Sequence, residues 1–127
     1  MDRDKAYVLW FDELRREDVE IVGGKSSSLG EMTSKTDVPV PYGFATTAYA
    51  YRQFMERTGL DKKIREELKK LTDVEDSALL REVTDNIRAM IVAEEMPEDI
   101  VEAIKDAYAE LGDKMNVEDP FVAVRSS

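Results

Sequence analysis

The stretch of this sequence richest in chemistry is Val22–Met32, VGGKSSSLGEM. Gly23 and Gly24 suit a backbone that takes positive φ and comes close to a ligand. Successive backbone N–H groups there can form an anion-binding concavity, and a helix start behind them adds its positive end. Lys25 supplies a mobile point charge for phosphate oxygens. The pattern is not a Walker A loop. That loop requires G-x-x-x-x-G-K-[ST], and Val19 stands where its first glycine belongs. On spacing alone, a surface turn with a solvated lysine competes with a phosphate site. At the other end of the chain, Arg125 closes the apolar run Phe121–Val124. A guanidinium at a strand end is well placed for phosphates. From position alone, an ordinary surface arginine explains it equally well.

These residues need elements to position them. Leu29 and Met32, at helical spacing, would anchor a helix over Lys25–Ser34. The serines offer caps for it, and Ser28 with Glu31 has capping-box spacing. Tyr7–Phe11 and Gly43–Thr46 read as strands, as does Phe121–Val124 after the Asp119-Pro120 turn. Asp12–Glu20 reads as a loop or short helix. Val38-Pro39-Val40-Pro41 is extended, because a residue before proline is pushed out of the α region. Further helices are expected over Ala48–Thr58, Asp61–Leu71, Glu75–Ala93 and Pro97–Leu111. Thr46 or Thr47 would cap the first of these, with Ala50, Tyr51 and Phe54 on its buried side. Thr72–Glu75 fits a capping box for the third, and Gly112 a stop for the last. Tyr49, Tyr51 and Phe54 read as core rather than as a base-stacking platform. The acidic residues between the apolar stripes, among them Glu66, Glu67, Asp85, Glu94, Glu95, Glu98 and Asp99, read as solvated faces rather than metal ligands.

Composition bounds the function. The chain has one domain's length, with 28 acidic and 18 basic residues and a net charge of −10. Such a chain is a poor general binder of nucleic acid or anionic membranes, so an anionic nucleotide needs a local basic pocket. There is no cysteine, which suits the cytoplasm, and no apolar run approaches a membrane span. The absence of histidine excludes an imidazole base or a phosphohistidine within these residues.

Three stretches, in order and spacing, resemble the start of the phosphoenolpyruvate synthases (pyruvate, water dikinases). VGGKSSSLGEM resembles the family's GGK-x-x-x-LGEM signature, with Ser26 and Ser27 departing slightly from it. Val38–Phe54, VPVPYGFATTAYAYRQF, is similar to VPxGFxxTxxAYxxF, and Val122–Ser127 is similar to VAVRSS. The opening YVLWFDEL also reads like this family. The resemblance covers nearly the whole chain but only the first part of a family whose members are several times longer. It implies an α+β fold, with residues 1–127 forming the N-terminal lobe of an ATP-grasp-like nucleotide-binding domain, and a chain that continues beyond Ser127. It implies ATP and Mg²⁺ in the full-length enzyme, with pyruvate reached through other domains and a phosphohistidine on a separate domain. It favours Lys25 and Arg125 as phosphate contacts, with Gly23 and Gly24 allowing close backbone approach. No catalytic residue and no metal ligand is assigned to these residues, and the isolated piece is expected to be inactive. Relatives with this lobe act on pyruvate with phosphate, on rifamycins or on glucans. The alternative from another class is a non-catalytic acidic helical interaction domain, which leaves VGGKSSSLGEM and VAVRSS unexplained.

Overall fold

In the computed structural model, residues 3–36 and 40–126 are described. Val38 and Pro39, in the expected extended crossing, lie outside them. The chain divides into two compact units, Met1–Arg52 with Glu98–Ser127, and Gln53–Pro97.

The first unit is built on two short antiparallel strands, β1 (Val8–Trp10) and β2 (Phe44–Thr46). Leu9 pairs with Ala45, between Val8 with Thr46 and Trp10 with Phe44. Side chains alternate across a strand, so Leu9 and Ala45 share a face. Both are buried there with Ala6, Leu14 and Val22, and Phe11 and Ile21 pack against them. On the other face Trp10 meets Phe44 at 5.4 Å between ring centroids, and the Lys114 ammonium lies 3.6 Å above the indole. After β1 the chain makes two 3-10 turns, Phe11–Glu13 and Arg16–Asp18, and then helix α1 (Val19–Val22).

The second of these turns is held by Asp18, which is buried. Its carboxylate accepts from the Arg3 guanidinium at 2.7 Å and from the Arg15 backbone N–H at 2.8 Å. The Arg3 hydrogen bond is the main reason its pKa lies below the ordinary carboxylate value, with burial pulling the other way. A depressed folded-state pKa stabilises the fold fully above the unfolded value of about 3.9, and the contribution disappears as pH falls through the folded value. Arg3 is 45% exposed, which limits the pair to about 1 kcal/mol. Arg3→Ala should therefore lose about 1 kcal/mol or less at neutral pH. That difference from the parent should shrink in urea melts below about pH 4. A difference that grew on acidification would contradict this assignment.

Helix α2 spans Gly24–Lys35, α3 Ala48–Arg57, and α6 Glu98–Met115. Thr47 caps α3. Its hydroxyl oxygen accepts from the Ala50 N–H at 3.1 Å and donates to the Ala6 carbonyl, tying the helix start to the strand region. Tyr49 stacks on Tyr7 at 5.5 Å, and the Tyr7 hydroxyl donates to Asp99 at 2.7 Å. Tyr51 is 61% exposed, against the expectation that it is buried: one turn of α3 cannot turn both Ala50 and Tyr51 inward.

Gly112 does not stop α6, which runs on to Met115. Asn116, at φ 57, takes the left-handed position instead. Its N–H donates to Asp113 and that of Val117 to Gly112, the paired bonds of a Schellman end. Gly112 is required by packing. A Cβ there would lie 2.7 Å from the Val117 carbonyl oxygen and 3.4 Å from Pro120.

Phe121–Val124 is not a strand. A strand needs ladder partners, and among the described residues the sheet holds only β1 and β2. Phe121 and Val124 are almost fully exposed.

The second unit contains helices α4 (Leu60–Leu68) and α5 (Ser77–Ala93), which pack on each other. Leu60 and Val83 are buried, while Leu68 is 46% exposed, contrary to its place in the apolar stripe. Asp76 caps α5 by accepting from the Leu79 N–H at 3.1 Å, displacing the expected Thr72–Glu75 box. Glu67 is a second correction: it is 5% exposed rather than solvated. Asn86 donates to it at 2.7 Å and Lys70 at 2.9 Å, and these two bonds, Asn86 first, hold its pKa below the usual range. Among the described residues no helix is long and apolar enough to cross a membrane.

Candidate nucleotide phosphate site

Gly23 ends one helix and begins the next. Its N–H donates to Val19 at 2.7 Å, closing α1, and its carbonyl accepts from the Ser27 N–H at 3.1 Å, opening α2. The reversal between them requires φ 90, a conformation that side-chain-bearing residues rarely adopt. Gly23 is therefore the N-cap of α2, and no serine side chain caps it. The serines lie inside the helix, where Ser26 and Ser27 are buried and the Ser27 hydroxyl donates to the Gly24 carbonyl at 3.0 Å.

Gly24 differs from Gly23. It has ordinary helical backbone, so only Gly23 meets the expectation of positive φ. A Cβ on Gly24 would meet nothing within 4 Å, so there is open space in front of the first turn. The start of an α-helix leaves its first N–H groups without intrahelical acceptors and carries about half a positive charge. Gly24 and Lys25 thus present backbone donors and an exposed ammonium at an open helix end.

The anchor of α2 is not the expected pair. Met32 is 37% exposed and Leu29 only half-buried. The buried side is small: Ser26, Ser27 and Gly30. Small residues let the helix backbone approach the turn beneath it, and Gly30 lies against Leu14. The Glu31 carboxylate accepts from the Arg16 backbone N–H at 2.9 Å, fixing the same approach.

The terminal extension arrives at this helix end. Tyr108 of α6 donates its hydroxyl to the Pro120 carbonyl at 2.7 Å, and Pro120 is buried. From there the chain runs exposed until the Ser126 hydroxyl accepts from Lys25 Nζ at 3.4 Å, across 101 residues of sequence. Arg125, the preceding residue, is exposed. The structure thus brings Ser126 to the lysine of VGGK. Ser126 had no role assigned from sequence, and its only signal was its place after Arg125.

The hollow beside α5, about 320 Å³, is lined by Ser77, Leu80, Arg81, Thr84, Asp85 and Arg88. Asp85 is the acidic residue of its lining, against Arg81 and Arg88. Among the described residues, no group of three or more Asp, Glu, His or Cys side chains is placed to hold a metal ion.

Residues 19–127 match the family described as pyruvate phosphate dikinase, AMP/ATP-binding domain. The chain is 45% identical over 127 residues to a probable phosphoenolpyruvate synthase of Staphylothermus marinus, covering 98% of this chain and 15% of that protein. It is 47% identical over 121 residues to a probable phosphoenolpyruvate synthase of Methanocaldococcus jannaschii, covering 95% of this chain and 10% of that protein. The phosphoenolpyruvate synthase of Pyrococcus furiosus is 37% identical over 155 residues, covering 95% of this chain and 18% of that protein. The chain therefore spans less than a fifth of the length of each of these relatives.

Proposed function

The chain belongs to the pyruvate phosphate dikinase AMP/ATP-binding domain family, and from that premise we propose that residues 1–127 form the N-terminal lobe of the ATP-binding domain of a phosphoenolpyruvate synthase. The observation that supports this most is the Lys25–Ser126 contact, which joins the two candidate phosphate-binding stretches at one open helix start. In this reading the first N–H groups of α2 and the Lys25 ammonium receive ATP phosphate oxygens, and Arg125 adds a second, bidentate-capable cation. Gly24 leaves the phosphates room to approach the backbone. Charge that develops on the transferring phosphoryl group is stabilised by these fixed donors, which is where protein groups contribute most to such reactions.

The complete reaction requires more than this lobe. In this reading ATP gives its two terminal phosphoryl groups to a histidine carried elsewhere in the full-length protein and leaves as AMP. Water releases the outer phosphate, and the remaining phosphohistidine phosphorylates pyruvate. The products are phosphoenolpyruvate, AMP and phosphate. Mg²⁺, when bound, would neutralise phosphate charge; among the described residues no group of three or more Asp, Glu, His or Cys side chains is placed to hold it. The setting is cytoplasmic, with ATP and pyruvate as partners and neither nucleic acid nor membrane among them.

The relatives' names favour pyruvate with water over a phosphate, rifamycin or glucan acceptor. A non-catalytic acidic helical module does not account for a family match that runs from residue 19 to residue 127. Phosphorus NMR of the full-length protein with ATP and pyruvate should show AMP, phosphate and phosphoenolpyruvate rising together. The isolated 127-residue chain should form none, because it has no histidine. Pyruvate-independent conversion of ATP to ADP by the full-length protein would overturn the proposal.

A further inference from the structure

We infer that Ser126 is a positioning residue that sets the direction of the Lys25 ammonium at the phosphate site, an inference that rests on the nucleotide reading above. Lysine carries its charge on a four-carbon stem with several rotatable bonds, so an exposed ammonium samples many positions unless something orients it. Here the orienting group is the Ser126 hydroxyl, which accepts one of the three ammonium hydrogens at 3.4 Å. Two hydrogens are left for phosphate oxygens. The bond is long and exposed, so its effect is to narrow the lysine's range rather than to hold it rigidly.

What makes the contact a built one is how the serine gets there. Gly112 lies closely against the Val117 carbonyl and Pro120. Tyr108 holds the Pro120 carbonyl. Asp119 takes φ 46 to turn the chain before that proline. The extension therefore starts from a fixed base at Pro120 and meets Lys25 through Ser126. The hydroxyl also fits a moderate role. It neither neutralises the ammonium, as a carboxylate would, nor competes strongly with phosphate for it.

A double-mutant cycle in the full-length protein tests this. Mg-ATP affinity is measured by equilibrium titration for the parent, Ser126→Ala, Lys25→Ala and the double variant. Ser126→Ala should weaken binding about threefold to tenfold, and Ser126→Thr, which keeps the hydroxyl, should restore most of it. In the Lys25→Ala background Ser126→Ala should have no further effect, because the lysine it positions is gone. A loss of equal size in both backgrounds would mean that Ser126 acts on the fold or on phosphate directly, and would overturn the inference while leaving Lys25 as a phosphate contact. No loss from Ser126→Ala in the parent would also overturn it. Unchanged affinity in Lys25→Ala would overturn the nucleotide reading itself.

Discussion

Gly30→Ala should destabilise the protein by about 1–3 kcal/mol, although alanine is the better helix former by about 1 kcal/mol. The added Cβ would sit 2.4 Å from Leu14 Cβ, 2.7 Å from the Leu14 carbonyl oxygen and 2.8 Å from its carbonyl carbon. Two of those atoms are backbone, and Leu14 is fully buried in the core, so no rotamer change relieves the clash. Either α2 or the segment carrying Leu14 must shift, and overpacking of this kind outweighs the propensity gain. Gly24→Ala is the matched control, since its Cβ meets nothing within 4 Å. It should leave stability unchanged or raise it slightly. Urea midpoints of the two variants compare them directly. A Gly30→Ala midpoint at or above the parent's would show that α2 does not depend on this close approach.

Lys25→Ala and Arg125→Ala should each lower kcat/KM for ATP in the full-length protein by about 10- to 150-fold. A hydrogen bond to a charged group contributes about 1.5–3 kcal/mol, and about 1.4 kcal/mol is tenfold. Both side chains are exposed, so their loss should leave the unfolding free energy from urea melts within about 0.5 kcal/mol of the parent. Function and stability therefore separate at these positions, whereas Gly30→Ala changes both, because it displaces the helix that carries Lys25. Gly24→Ala should behave like the cation variants: folded, but weakened toward ATP, because its methyl group occupies the space in front of the helix start. Unchanged steady-state kinetics with ATP in both cation variants would show that the pair has no role at the phosphates.

The sequence made the helices legible because their apolar stripes repeat over several turns. The helices expected over Glu75–Ala93 and Pro97–Leu111 appear at Ser77–Ala93 and Glu98–Met115. Their ends were harder to read, because capping depends on geometry that residue type only permits. Ser28 and Thr72 have the right chemistry, yet Gly23 and Asp76 occupy the N-cap positions. Asn116 takes the left-handed place that Gly112 appeared to offer, because Gly112 is needed for close packing. The run FVAV has strand composition, but pairing depends on a neighbour, which composition does not reveal. At the proposed site, the positive φ of Gly23 was legible from its residue type, and Lys25 and Arg125 were singled out by their settings. Ser126 was not, because its contact spans 101 residues. Glu67 was missed because its partner Asn86 becomes visible only when α5 lies beside α4, whereas the Lys70 pair, three residues on, is local.

Hydrogen exchange of the full-length protein, with and without saturating Mg-ATP, tests most directly whether the nucleotide's phosphates bind at the start of α2. The expected result within residues 1–127 is slower exchange confined to peptides covering Gly23–Ser28 and Arg125–Ser127, with the α5 peptides unchanged. Slowing centred on Ser77–Arg88, with no change at Gly23–Ser28 while ATP is bound, would contradict it.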